Sequence, residues 1–476
     1  MKKDKKIVII GLDGANKNTA GFIGLDTKNI HDMLSTIPPY TPPAWTSILT
    51  GVNPAKHGIM DFQKIDFKTF TPRLTTSHDV KYYRISELLN MHGLKSILIN
   101  LPMTYPFDGI RFKKENIIVS DWAAPRQEIY PQRLNEKYQE YLLDPPSSWR
   151  KAANLQEYAN VVEEYTTTRL NLYYDLLEDY EWDMYFIVFS ETDWLSHIFP
   201  QILEGKNVHT INPVFQKIKE FIDRAMDIAD ITFITSDHGF EVKHKIFYVN
   251  EALARSGFIK YNHVKATLAR FGGKILPKKI IKMFVKTGKT QISFSSDPQK
   301  RKAFMTSSPS WGVYLADKTI KEHVKKALKE FPEISNVLSP EEIYNGPHLY
   351  SLPDLFIIPE KGVKLSRHIK GKLIEPIYMG DHDLHGIFAP YGEGIKTSIT
   401  FNSPPTVYDI APTILHIFGL PIPNDMDGRV LIEIFEEDSE FANREPKYVS
   451  PSYYKRTNNE EKLKNVIKEL KLKGKI

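Results

Sequence analysis

The stretch Lys5-Lys6-Ile7-Val8-Ile9-Ile10-Gly11-Leu12-Asp13-Gly14 decides the fold. Its apolar run is β-branched and shows no polar alternation, the pattern of a strand covered on both faces, as in a parallel sheet. Lys2, Lys3, Lys5 and Lys6 before it imitate the start of a signal peptide. The run is too short for an export segment, however, and the polar Asp13 and Asn16 follow at once. The expectation is a buried first strand that ends on an acidic residue.

Three more runs read the same way: Ser96 to Asn100, Tyr185 to Phe189, and Ile231 to Thr235. Between them lie helical patterns from Leu155 to Leu177 and from Val214 to Ala229. In the second, Val214, Ile218, Phe221, Ile222 and Ala225 recur at intervals of three or four. Strands alternating with helices predict an α/β, doubly wound, mainly parallel sheet with helices on both faces. After Phe240 the pattern loosens. The stretch Lys265 to Arg301 is lysine-rich (Lys278, Lys279, Lys282, Lys286, Lys289), and an amphipathic helix from Thr319 to Phe331 and a strand from Asp354 to Ile358 follow. We read 261–370 as an inserted cap or substrate domain, and 1–260 with 371–476 as one catalytic domain. The tail segment Glu460 to Leu472 is amphipathic and expected to pack on the main body.

Composition narrows the function. The 476 residues carry 63 Lys+Arg and 58 Asp+Glu, a net charge of +5. That excess is too small and too dispersed for a nucleic-acid partner. The absence of cysteine removes disulfides, thiolate metal sites and thiol nucleophiles, and fits a reducing compartment. No run approaches the roughly 18 apolar residues of a membrane span. The default location is cytoplasmic.

Acidic and histidine residues sit where the predicted strands end. Asp13 closes the first; Asp193 and His197 follow the third; Asp237 and His238 close the fourth. Loops at the carboxyl ends of parallel strands share one edge, where ligands bind. Each placement alone has an ordinary explanation: a turn or cap aspartate, or a surface pair at i, i+4. Three such placements in one chain point to a metal site of Asp and His ligands, suited to zinc, manganese or iron. Thr41-Pro42-Pro43-Ala44-Trp45-Thr46-Ser47-Ile48-Leu49-Thr50-Gly51 reads as a helix with Thr41 as N-cap and Gly51 at its end. A helix start favours phosphate, and a metal-bound threonine oxygen there is a candidate nucleophile, although a plain cap is the simpler role for Thr41.

In this order, Gly11-Leu12-Asp13-Gly14, the Thr41–Gly51 segment with Pro54 and His57-Gly58-Ile59, Asp193-x-x-x-His197 and Ser236-Asp237-His238-Gly239 resemble the alkaline phosphatase superfamily. Within it, the chain is most similar to the type I phosphodiesterase/nucleotide pyrophosphatase family. Gly380-Asp381-His382, Gly386-Ile387-Phe388, Tyr408-Asp409-Ile410-Ala411-Pro412-Thr413 and Met426-Asp427-Gly428 agree. The resemblance implies an alkaline-phosphatase-like fold and two divalent metal ions, zinc first. One would be held by Asp13, Asp237, His238 and Thr41, the other by Asp193, His197 and His382, with His385 as rival to His382. It implies hydrolysis of a small phosphate ester, a nucleotide among the candidates, through a phosphothreonine on Thr41. His57 is read as packing beside the nucleophile helix, and Trp45 and Phe62 as substrate contacts.

The pattern departs from the pyrophosphatases at two donors. Pro42 has no N–H where they use a backbone amide, and Phe62 stands where they carry an asparagine, so Lys56 or a cap residue would have to compensate. A phosphomonoesterase or a phosphotransferase or mutase of the superfamily is the alternative. Sulfatases need a cysteine or serine for formylglycine and an arginine four positions later; Thr41 and Trp45 set that branch aside. A reading of another class is a non-catalytic protein binding a polyanion or membrane surface through the basic face from Lys265 to Lys302.

Overall fold

The computed structural model describes residues 5–66, 71–143, 154–260 and 301–455. All four runs read as buried strands lie side by side in one eight-stranded sheet. In chain order its strands are β1 (Ile7–Leu12), β2 (His31–Leu34), β3 (Ser96–Ile99), β4 (Asn116–Val119), β5 (Ile129–Tyr130), β6 (Met184–Phe189), β7 (Ile231–Thr235) and β8 (His385–Gly392). The spatial order is β2-β8-β7-β1-β6-β3-β4-β5. The five strands from β7 to β4 run parallel. β8 is antiparallel to both β7 and β2, and β5 to β4.

Alternation along β1 divides the core. Val8, Ile10 and Leu12 face one layer, packed with α2 (Leu155–Glu178) and α4 (Asn212–Ile228). Ile7 and Ile9 face the other, with α1 (Thr41–Thr50) and α5 (Ile410–Ile417). The short α3 (Glu191–Ile198) follows β6 directly. Helices on both faces are what a buried parallel sheet requires. Gly11 is a glycine because of packing: a Cβ there would lie 2.4 Å from the Trp45 ring and 2.9 Å from Val188.

The strand Gly239–Tyr248 leaves the main sheet and pairs with Val363–Ser366 and Ile374–Asp383. A further four-stranded sheet runs Ala303–Met305, Gly312–Leu315, Leu355–Pro359, Ile334–Leu338 in space. Its apolar cluster also takes in Phe247, Val249, Leu253 and Ile259 before it and Val363 and Leu365 after it. The helix expected over 319–331 is Lys321–Lys329, because its first turn is wound as the 3-10 segment Lys318–Ile320. Residues 261–300, which carry the basic segment of the surface-binding reading, and the tail segment Glu460 to Leu472 lie outside the described residues. Among the described residues, no helix is long and apolar enough to cross a membrane.

His57 is buried against α1, as its reading as a packing residue anticipates. Its Nδ1 accepts from the Ile59 amide at 3.1 Å, so Nε2 carries the proton and faces Ser47 Oγ at 3.0 Å. Burial pushes its pKa down to about 3, because the charged imidazolium would be cut off from water, and the nearby His348 and Arg84 charges push the same way. The folded pKa lies below the unfolded value of about 6.5. The stability this group contributes is therefore full above that value and is lost as pH falls toward about 3. In urea melts across that interval, the stability of wild type should fall more steeply than that of His57→Gln, by up to about 1.4 kcal/mol per pH unit. Parallel curves would contradict this.

Candidate active site

The site forms where β1, β6 and β7 end. Asp13 continues β1, with its amide donating to Phe189 O at 3.1 Å. Asp237 and His238 continue β7. Asp193 and His197 stand one turn apart on α3, the geometry their i, i+4 spacing predicts. His382 arrives by strand pairing: in the antiparallel register of Gly239–Tyr248 with Ile374–Asp383, it lies opposite Phe240. Gly380 makes that docking possible, since a Cβ there would lie 2.1 Å from Ser196 O. The Gly380 carbonyl instead lies 3.1 Å from Nδ1 of His197.

These side chains form two adjoining clusters. In one, single ligand atoms of Asp13, Asp237 and His238 lie within 4.8 Å of one another. His238 Nε2 lies 3.3 Å from Asp237 Oδ2, 3.8 Å from Asp13 Oδ1 and 3.4 Å from Thr41 Oγ1. In the other, Asp193 Oδ1 is 3.6 Å from His197 Nε2 and 3.5 Å from His382 Nε2. The rings of His238 and His382 stack at 4.0 Å and join the clusters. Each histidine presents Nε2 inward, while Nδ1 rests on a backbone carbonyl: Gly239 O for His238 and Pro39 O for His382, both at 3.0 Å. His385, the rival, is exposed and pairs with Asp383.

Electrostatics shows what the clusters lack. Asp13 Oδ1, Asp193 Oδ1 and Asp237 Oδ2 are buried with no hydrogen-bond partner. Burial raises the Asp13 carboxyl well above its ordinary range, and the charges of Asp237 and Asp193 push it further, against the Trp45 indole N–H. Burial likewise pushes Asp237 up to about 7, although the Gly14 amide donates to it at 3.1 Å. Burial also works against charge on Asp193, but His197 and His382 outweigh it and hold that carboxyl below its usual range. Orphaned buried carboxylate oxygens beside inward-facing imidazoles suit divalent cations bound by oxygen and nitrogen. Asp381, beside His197 and His382, is a carboxylate the motif reading quoted without a role; its Oδ2 pairs with Lys364 at 2.7 Å.

Several expectations need correction. Tyr40, not Thr41, is the N-cap of α1, and Thr41 is its first helical residue. No side chain caps the helix, so the Thr41 hydroxyl is free to turn toward His238. Pro42 and Pro43 occupy the next two positions, which removes two of the amides a helix start would offer an anion. Trp45 does not face a substrate: it is fully buried, with its ring 6.1 Å from Phe186. Phe62 is partly buried and lies on the site's rim, edge-on to Tyr40 at 5.6 Å and to Trp122 at 5.1 Å. The Tyr40 ring in turn lies 6.0 Å from that of His382. Lys56 is not a free donor, because it binds Asp427 Oδ1 at 2.6 Å and Asp425 O at 2.7 Å.

From residue 8 to residue 387, the sequence matches the family model described as type I phosphodiesterase / nucleotide pyrophosphatase. The chain belongs to this family. Members of the alkaline phosphatase superfamily share its architecture. Phosphonoacetate hydrolase of Sinorhizobium meliloti 1021, solved with phosphonoacetate, superposes with a TM-score of 0.57 at 15% identity over 86% of this chain and 94% of that one. Human ectonucleotide pyrophosphatase / phosphodiesterase 5 gives 0.51 at 12% identity, over 89% and 97%. Wild-type alkaline phosphatase PafA gives 0.56 at 14% identity, over 92% and 100%. A Caenorhabditis elegans homolog of the extracellular sulfatase Sulf-1 is 28% identical over 116 residues, 24% of this chain and 14% of that protein's length. Family membership supports the class of phosphoryl-transfer hydrolase.

Behind α3, Arg169 of α2 pairs with Glu191 at 3.0 Å, and both side chains are fully buried. Arg169→Met would leave the Glu191 carboxylate buried without its partner. It should destabilise the protein by about 3–5 kcal/mol in chemical denaturation, whereas a loss under about 1 kcal/mol would show the pair to be dispensable.

Proposed function

We propose that this protein is a two-metal phosphodiesterase that acts on small organic phosphate esters through a covalent phosphothreonine on Thr41. The observation that carries this is the set of three buried carboxylate oxygens without a hydrogen bond, on Asp13, Asp193 and Asp237, gathered with three inward-facing histidines beside the Thr41 hydroxyl. Asp13, Asp237, His238 and Thr41 would hold one divalent ion, and Asp193, His197 and His382 the other. Zinc fits this donor set best, and manganese or iron would also be accepted. When bound, the ions would lower the pKa of the Thr41 hydroxyl and offset charge on the attacking and leaving oxygens.

In this reading Thr41 Oγ1 is the attacking group. A bond forms between Oγ1 and phosphorus as the ester oxygen departs, and water then cleaves the phosphothreonine and restores the hydroxyl. Phe62, with Tyr40 and Trp122 behind it, forms an apolar wall against which the organic part of the ester can rest.

Charge favours a diester over a monoester. The small cavity beside His382 is lined by Lys243 and Lys364. Both are already paired, with Glu241 at 2.5 Å and Asp381 at 2.7 Å. Neither is left to meet the second negative charge of a monoester dianion. A nucleotide diester or pyrophosphate falls within this class, and a cytoplasmic location remains part of the proposal.

Metal-free protein titrated with zinc should take up about two equivalents per chain, and Asp237→Asn about one. Uptake of none by wild type would remove the metal reading. With zinc restored, an aryl phosphodiester should turn over faster than the matching monoester, and Thr41→Ala should lose about three orders of magnitude or more in kcat. Turnover retained in Thr41→Ala, with metal content unchanged, would rule out the threonine intermediate.

A further inference from the structure

Asn100 stands at the end of β3, fully buried, with a φ of +58°. Residues other than glycine rarely adopt that left-handed backbone, and asparagine tolerates it better than most. Its amide serves two directions at once. Nδ2 donates to Val188 O at 2.8 Å and to Ser190 Oγ at 3.0 Å, while Oδ1 accepts from the Trp122 amide at 2.9 Å.

The first direction leads to the candidate metal ligands. Ser190 is the N-cap residue of α3, and its hydroxyl also accepts from Arg169 Nη1 at 3.3 Å. The same nitrogen donates to Glu191, the first residue of α3, at 3.0 Å. Asn100, Ser190, Arg169 and Glu191 are all fully buried. They therefore hold the start of the helix that presents Asp193 and His197 through bonds that water does not weaken. The second direction leads to the rim. Trp122 packs on Phe62, Phe62 on Tyr40, and Tyr40 both precedes Thr41 and lies beside the His382 ring.

We propose that Asn100 is a positioning residue that sets the metal-bearing helix and the aromatic rim in one register, although it belongs to neither. This rests on the two-metal reading given above. An ordinary core asparagine could satisfy itself within one loop. This one adopts a strained backbone and uses its side chain to join two loops that each end at the site.

The test uses the full chain with Asn100→Gly, which keeps the left-handed backbone without strain and deletes only the side-chain bonds. Ser190→Ala cuts the α3 arm alone. Cobalt titration of the metal-free proteins, followed by visible absorption, reads the metal sites without turnover, and KM and kcat for an aryl phosphodiester read the rim. We expect Asn100→Gly to weaken one of two cobalt sites about tenfold or more and to raise KM for the aryl ester. Ser190→Ala should reproduce the weaker site with KM unchanged. Cobalt affinity at the wild-type level in Ser190→Ala overturns the proposal, even if Asn100→Gly does not fold. So does Asn100→Gly with wild-type affinity and KM. If wild type itself binds no cobalt, the two-metal reading fails and this inference falls with it. Normal wild-type binding with unaffected variants sinks this inference alone.

Discussion

Asp13, Asp193 and Asp237 meet inside the protein with little of their surface open to water, and no side chain among the described residues donates to the oxygens they turn toward one another. Removing a carboxylate from water without a counter-charge is among the most costly steps in folding. The effect is visible in the carboxyls of Asp13 and Asp237, both driven upward by burial. Histidines line the gap but offer Nε2, and the backbone carbonyls behind them hold that orientation. The arrangement is a set of ligands suited to positive charge, and much of the surrounding structure serves to keep it assembled.

That service begins with strand order. β7, β1 and β6 are neighbours in the sheet, so the residues after them emerge side by side at one edge. Parallel pairing is what makes them emerge at the same end, the property that places ligand sites at the carboxyl edge of such sheets. α1 approaches that edge with Trp45 wedged under Gly11, a contact that a single methyl group on Gly11 would disrupt. The same indole, buried rather than open to a substrate, thus anchors α1, and its N–H counters in part the burial that raises the Asp13 carboxyl. The chain beyond β7 then returns through a second sheet whose register delivers His382. The segment between the second sheet's strands also reaches back to the loop before α1, where the Tyr344 hydroxyl bonds both the amide and the carbonyl of Ile37 at 2.7 Å.

Much of this was legible in residue order. The four apolar runs are four adjacent strands because only a fully covered strand tolerates such composition on both faces. The edge strands were harder to read: β2 is His31-Asp32-Met33-Leu34, half polar, and its assignment depends on β8, which lies far along the chain. The pairs Asp193/His197 and Asp237/His238 could be found because their spacing is local to one helix or one strand end. Asn100, Arg169 and Tyr40 carried no such signal, since their importance comes from partners distant in sequence. The N-cap reading missed by one residue because Thr41 has the side chain of a good cap, whereas in the fold that hydroxyl faces His238.

By itself, then, the sequence determined the layered α/β architecture, the strand ends that carry the acidic and histidine residues, and membership of a phosphodiesterase family. Those features rest on periodicity and on short motifs, which are written in consecutive residues. The tertiary structure alone showed what brings His382 to Asp193 and leaves His385 exposed, and that Trp45 is core and Phe62 rim. It also decided that Lys56, Lys243 and Lys364 are each held by a carboxylate, Lys56 by Asp427 from near the other end of the chain. These outcomes depend on strand register and on packing between segments apart in sequence, and a burial or a pairing of that kind exists only once the chain has closed on itself.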